Sequence, residues 1–540
     1  MATVPEIPVS SSRLGYEDEV NFCSRCRVIV ADVTPSESLD DKYRTHHFTA
    51  QDLDLAAKAG CMFCRRIADK IWWRSGGSRP PGSTVLSSVG GSSDEFTWYS
   101  WSDPKVVPEV DDVSIFVNEP VDTLKGRESC MLRVAFDPLL DQKHFPATIA
   151  TNNLGSDTSW EQATSWLVHC LENHKSCVHQ YSGPWYPTRL INVGKPGDST
   201  VNLCLTATSN MDGPYITLSH RWGLGEMVKL KSGNLQQYLH EIPLTDLPQT
   251  FTDAIQVARS LQVRYIWIDS LCIIQDSAED WLVESAQMQN VYRRSFLNIS
   301  ATGAGDSSGN GALFRHRSLD AGWVAWTTER RKGQRFLVYD REYWNDQLID
   351  SELNRRAWVL QERMLAPRVL HSGDKQLFWE CHELEACESK RNMNLGPRIK
   401  PGPPLDAKTD LAYELWAEIV SRYTPCSVTK ESDKLVAISG IARQLSTTLQ
   451  DEYLAGLWRS NLVECLSWIA QNPEGLSRPT VYRAPSWSWA SVASSVRYFH
   501  FGVPQVAEPQ VTIEQVCVTP ESGDYFGQIR DGFVKLRGSM

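Results

Sequence analysis

Between residues 215 and 302 short, largely apolar runs alternate with amphipathic stretches of helix length, and this alternation constrains the fold more than any other feature of the chain. YITLSH (215–220), RYIWIDS (264–270) and FLNISAT (296–302) read as buried strands. Pro248 stands where a helix can start, and Phe251, Ala254, Ile255, Ala258 and Leu261 follow at helical period. A second helix fits 279–294, with Trp281, Met288 and Tyr292 on one side. Behind a further helix over 353–365 come the short strands RVLHS (368–372) and QLFWEC (376–381). Strands alternating with helices predict an α/β fold whose parallel sheet is covered on both faces. Ligands of such sheets sit beyond the carboxyl ends of the strands, which here carry Ser219–Gly225 and Asp269–Asp276.

A length of 540 residues predicts two to four domains. Residues 1–180 read as an N-terminal α+β domain. It holds two Cys-x-x-Cys pairs around a helix from Thr49 to about Ile71, a Gly/Ser/Pro-rich loop (75–94), strand-like runs at 96–101, 114–118 and 130–136, and a helix over 158–173. The α/β domain occupies 187–385, with a less regular insertion from 303 to 350. A linker over 386–408, containing LGPRIKPGPPLDAK, leads to a C-terminal region, 409–540. Helices are expected there at 409–422, 431–447 and 453–470, followed by a Trp-rich β segment that starts APSWSWAS. The 20 tryptophans recur in such short patterned segments, so they look placed.

Charge and motifs narrow the function. Lys and Arg number 54 against 65 Asp and Glu, a net −11 without a long basic block, which argues against nucleic-acid binding. No apolar stretch approaches the ~18 residues of a membrane span, and the polar start lacks a signal-peptide core, so a cytoplasmic protein is expected. The P-loop, the G-x-S-x-G elbow, H-E-x-x-H and a G-x-G-x-x-G following a strand are all missing.

Three constellations are candidates for chemistry. Cys23/Cys26 and Cys61/Cys64 are paired thiols that can complete a tetrahedron around a structural zinc ion, with His46 and His47 as substitute ligands; buried thiols anchoring a helical cap are the alternative. Cys170, His174 and Cys177 would share one helix face, but no fourth ligand is evident, which favours a packed core there. In NRRAWVLQERML (354–365), Arg355, Trp358 and Glu362 fall on one helical stripe, a cation, an indole and a carboxylate suited to an anionic, sugar-bearing aromatic ligand. Equally, such charges often form a solvated face, and Asp269 and Asp276 often only cap turns.

The series PTRLINV (187–193), YITLSHRWG (215–223), LPQTFTDAIQVARSLQVRYIWIDSLCIIQD (247–276), DWLVESAQMQNVYRRSFLNISAT (280–302) and RAWVLQERMLAPRVLH (356–371) resembles the fungal heterokaryon-incompatibility (HET) domain family, with flanks similar to the family's wider architecture from about residue 20 to 495. The resemblance implies an intracellular protein that triggers regulated cell death on nonself recognition. It also implies a distant likeness to Toll/interleukin-1 receptor (TIR) domains, and so a TIR-like sheet. Some TIR domains cleave NAD⁺ with a glutamate carried after Trp-x-x-x-Glu on the helix between the third and fourth strands. Trp358 to Glu362 has that pattern and place, which makes Glu362 the implied catalytic residue and NAD⁺ the implied substrate. On the same likeness Ser219, His220, Arg221 and Trp222 would lie near the nucleotide, and the turn from Asp269 to Asp276 beside the pocket. Trp222 or Trp358 would stack on a ring, and Arg221 or Arg355 would meet the diphosphate. The 303–350 insertion departs from these relatives. Activation through a homo-oligomer and an unidentified protein trigger is expected, and a non-catalytic adaptor is the runner-up.

Overall fold

The computed structural model describes residues 23, 24, 26, 43–46, 50–61, 63–68, 96–101, 111–117, 131–138, 151, 153–177, 185–223, 228–304, 311–317, 326–330, 334–340, 343–389, 400, 410–471, 479, 481–498 and 511–538. They fall into two compact units, one made of residues 1–145 and 323–342, the other of 146–322 and 343–540. The loop at 75–94 and most of the 395–408 stretch lie outside the described residues.

The strands of the two large sheets are, in chain order, β1 (Tyr43–His46), β2 (Phe96–Trp101), β3 (Asp111–Val117), β4 (Met131–Pro138), β5 (Arg189–Asn192), β6 (Thr200–Leu205), β7 (Tyr215–Ser219), β8 (Ile242–Pro243), β9 (Tyr265–Ile268), β10 (Leu297–Ser300), β11 (Trp326–Arg330), β12 (Gln334–Asp340), β13 (Arg368–Ser372), β14 (Leu377–Cys381) and β15 (Glu385–Cys387). The longer helices are α1 (Ala50–Lys58), α2 (Asp157–Asn173), α3 (Gln249–Ser260), α4 (Ala278–Arg293), α5 (Ala357–Leu365), α6 (Asp410–Tyr423) and α7 (Ser439–Leu449).

In the first unit a six-stranded antiparallel sheet runs β1-β2-β3-β4-β12-β11. Its last two strands come from the stretch read as an irregular insertion: β12 pairs with β4 from Phe336↔Pro138 to Asp340↔Val134. Asp340 is fully buried and accepts from Arg66 Nε at 2.8 Å. The single helix expected from Thr49 to Ile71 is broken. Gly60, at φ +90°, donates to Ala57 O, and Cys61 donates to Ala56 O, the paired bonds of a glycine-terminated helix end.

The second unit holds a nine-stranded sheet in the order β15-β14-β13-β10-β7-β9-β5-β6-β8. The expected α/β character holds, but the sheet is mixed. Only β13-β10-β7-β9 are parallel, and antiparallel strands extend both sides. The links from β13 to β14 and from β14 to β15 are too short for a crossover, so those strands must turn back. α3 buries Phe251, Ala254, Ile255 and Ala258, as its periodicity requires. α4 begins at Ser277, whose hydroxyl accepts from Asp280 N at 3.1 Å, and it packs Tyr292 edge-on against the buried Trp267 of β9.

Two helix expectations at the C-terminal end change. Over 431–447 there are two 3₁₀ turns before α7 starts at Ser439. Over 453–470 a tight hairpin (Tyr453–Leu454 with Leu457–Trp458), a four-residue helix (Leu462–Cys465) and a short strand (Trp468–Ala470) replace the helix. The cause is the loop pair Ala455 and Gly456, at φ +48° and +102°, which makes a two-residue hairpin turn. The Gly456 carbonyl accepts from both Trp416 Nε1 (3.0 Å) and Trp489 Nε1 (2.8 Å), so the tryptophans of this region are indeed placed. α7 closes on α5 where Gly440 N donates to Gln361 Oε1 at 2.7 Å. Among the described residues no helix is long and apolar enough to cross a membrane.

Candidate functional site

Because β7, β9 and β10 run in parallel with Leu218 beside Ile268 and Ser219 beside Ser300, the residues that end them share one edge of the sheet. Ser219, His220 and Asp269 lie along that edge. Helix α5 returns from the preceding loop to β13 and brings Glu362 to the same place.

Glu362 is buried, with 6% of its surface exposed. Burial pushes its carboxyl group up to about 7, and the nearby charge of Asp269 pushes the same way, against hydrogen bonding from Ser219 and Tyr292 and the charge of Arg356. Asn298 of β10 donates to Ser219 Oγ at 3.0 Å and accepts from Thr217 Oγ1 at 2.9 Å. The Ser219 hydroxyl proton is thereby shared between Asn298 Oδ1, at 3.3 Å, and Glu362. Tyr292 is held far above the ordinary phenol range by burial and by the charges of Glu362 and Asp269, so it stays a donor.

The imidazole of His220 is buried, edge-on to Phe251, with Nδ1 3.7 Å from Asp269 Oδ1. Burial lowers its proton affinity, and Asp269 opposes that. Its Nε2 atom and the hydroxyl of Ser270 are buried without a hydrogen-bond partner among the described residues. Trp222 Nε1 donates to Asp269 Oδ2 at 2.9 Å, and the Lys229 ammonium lies 5.0 Å above its indole. Arg356 Nη1 donates to the His220 carbonyl at 2.7 Å.

Glu362, Ser219, His220, Trp222 and Asp269 therefore form one cluster. Arg221 is turned toward Glu352, and Asp276 is exposed, capping Ser232 at its N (2.9 Å) and Oγ (3.1 Å). Trp358 is half-buried against the core, and Arg355 is exposed, with its charge felt by the Cys426 thiol. Since α5 starts at Ala357, Arg355 precedes the helix and does not share the stripe of Trp358 and Glu362. Sequence reasoning missed three members of the cluster: Tyr292, Asn298 and Arg356. Asn298 left a signal, as the polar residue in the middle of FLNISAT; Arg356 left none that separates it from Arg355.

In the first unit, Cys23, Cys26, Cys61 and Cys64 place their sulfurs within 4.8 Å of one another. Cys64 Sγ is 3.8 Å from Cys23 Sγ and 3.6 Å from Cys26 Sγ. With Zn–S bonds of about 2.3 Å, tetrahedral geometry requires sulfurs about 3.8 Å apart, so this donor set fits zinc. Gly60 reverses the chain so that Cys61 and Cys64 flank the start of the next helical turn. His47 lies outside the described residues, and of His46 only its place at the end of β1 is described.

No curated protein and no solved structure matches the chain. A family model does match, the one described as Heterokaryon incompatibility protein (HET), over residues 215–362. That span opens on the first residue of β7, closes on Glu362 and encloses the whole cluster around that carboxylate. From Tyr215 to Glu362, then, the chain matches the HET family.

Proposed function

We propose that this protein is a cell-death effector of the heterokaryon-incompatibility type that hydrolyses NAD⁺ at the nicotinamide–ribose bond. The HET match supports the incompatibility role. One observation carries the chemistry: Glu362 is a buried carboxylate whose proton affinity is raised to near neutrality at the carboxyl edge of the parallel strands. Its neighbour in sequence, Arg363, forms an ordinary buried ion pair with Glu380 at 2.6 Å. Glu362 has hydroxyls and a mixed field instead, an arrangement typical of functional sites.

In the reaction the ribose C1′–nitrogen bond breaks and its electron pair leaves with nicotinamide. Positive charge grows on the ribose, and water then forms the new C1′–oxygen bond and releases a proton. Glu362 as carboxylate holds the ribose hydroxyls and offsets the growing charge. Trp222 stacks on a ring of the substrate, and His220 Nε2 offers an unused polar atom beside it. The leaving group is already cationic, so no general acid is required. The rate should fall as pH drops below about 7 and Glu362 takes up its proton.

The closed state of Glu362 favours gating: a nucleotide reaches the carboxylate only after the surrounding segments part, and self-assembly triggered by a protein partner would supply that step. The same burial gives the adaptor reading its one support. The test is NAD⁺ loss and nicotinamide release by the full chain at low and high concentration, beside Glu362→Gln, with cell killing scored for both. Turnover and killing that vanish together in the variant are expected. Killing undiminished by Glu362→Gln would overturn the catalytic reading in favour of the adaptor. We also assign a structural zinc ion to Cys23, Cys26, Cys61 and Cys64.

A further inference from the structure

Cys170, His174 and Cys177 do not lie on one continuous helix. α2 ends at Asn173; His174 takes an extended conformation (φ −97°, ψ 100°), and Lys175–Cys177 forms a 3₁₀ turn closed by Cys177 N on His174 O at 3.3 Å. The chain thus curls around a point, and the last residue of β14, Cys381, fills the remaining corner. The four ligand atoms are all buried and lie within 4.8 Å of one another, with His174 Nδ1 3.3 Å from Cys381 Sγ. All three cysteines are free thiols.

Charge provides a second, independent argument. Arg368 is buried and donates to Cys170 Sγ at 3.2 Å, to Cys177 O at 2.9 Å and to Phe296 O at 3.1 Å. Among the described residues no carboxylate pairs with it. A buried guanidinium needs a counter-charge. Three neutral thiols supply none, whereas three thiolates and a neutral imidazole around Zn²⁺ carry a net −1, which Arg368 balances. Backbone amides also point at sulfur: Leu384 N donates to Cys381 Sγ at 3.2 Å, as Cys26 N does to Cys23 Sγ at 3.5 Å.

We propose that Cys170, His174, Cys177 and Cys381 bind one zinc ion in a closed Cys₃His site, separate from the Cys-x-x-Cys cluster of the first unit. Thiolate and imidazole donors select zinc over calcium or magnesium, and four protein ligands leave no open position, so the role is structural. The ion would fasten α2, which precedes the HET span, to β14, which follows it.

The test is metal analysis of the full chain purified without chelator, by inductively coupled plasma mass spectrometry, on the wild type, Cys23→Ser/Cys61→Ser and Cys381→Ser. With the first unit's cluster removed, the double variant should keep one zinc per chain, and Cys381→Ser should lose one equivalent relative to wild type. A double variant that is folded and metal-free, or Cys381→Ser with undiminished zinc, would overturn the site. Should Cys381→Ser fail to fold, thiol alkylation of the wild type with and without chelator decides. Cys170, Cys177 and Cys381 should be protected together and become reactive together as zinc leaves. Reactivity indifferent to chelator, or a disulfide among the three, refutes the proposal.

Discussion

A glutamate raised from an ordinary 4.5 to about 7 is one whose ionised form the folded state disfavours. The sign follows from proton linkage: between those two values the folded chain holds a proton that the unfolded chain has released, so stability falls as pH rises through the interval. Above it the loss amounts to roughly 3 kcal/mol. Glu362→Gln should therefore raise the melting temperature at pH 8 by more than at pH 5; equal shifts at both would mean that the carboxyl is not strained. The buried His371, hydrogen-bonded to Glu380, behaves oppositely. Burial pushes the imidazole down to about 4, against the pull of Glu380, so its contribution is lost as pH falls from about 6.5 toward 4. Together the two groups should leave wild-type stability flatter with pH than Glu362→Gln, measured by urea unfolding across pH 4–8. Glu362 was legible from the Trp358-x-x-x-Glu362 pattern and the resemblance it carries, and Ser219, His220, Trp222 and Asp269 from their places at or just after strand ends. Asn298 left its signal unread, and Arg356 and Tyr292 left none, because which of two adjacent arginines turns inward, and which core tyrosine meets a carboxylate, depends on tertiary packing.

At the scale of elements, periodicity located β7, α3, β9, α4 and β10 to within a residue or two. It failed where one residue overrides it. YLAGLWRSNLVECLSW has helical spacing, yet the left-handed pair Ala455 and Gly456 folds it into a hairpin. A Cβ on Gly456 would stand 2.7 Å from Trp489 Nε1. Gly456→Ala should then destabilise the chain by more than about 1 kcal/mol, from both the clash and the positive φ. Ala455→Gly should leave stability within about 0.5 kcal/mol in the same urea unfolding assay, since glycine tolerates that φ. Gly60 was a readable stop signal for α1. The fourth corner of the Cys₃His cluster was not readable, because Cys381 follows Cys177 by some 200 residues and only the sheet brings it back.

For the whole molecule the decisive feature is that residues 323–342 belong to the first unit while the chain on either side belongs to the second. The sheet of the first unit is completed by β12, whose Asp340 meets Arg66 in a buried pair. Asp340→Ala removes that carboxylate and should cost about 3–5 kcal/mol, seen as faster hydrogen exchange in β4 and β12. Exchange unchanged in those strands would show the pair to be dispensable. This interleaving also sets an order of events on the ribosome. When β4 has been made, its partner β12 is still about 200 residues from synthesis, a wait of roughly 10–40 s at ordinary elongation rates. Throughout that interval the nascent first unit carries an unpaired strand edge, the kind of edge that invites mispairing. A ribosome stalled between residues 215 and 322 would therefore release a product with neither unit finished, so quality control would see a single all-or-none outcome for the entire chain.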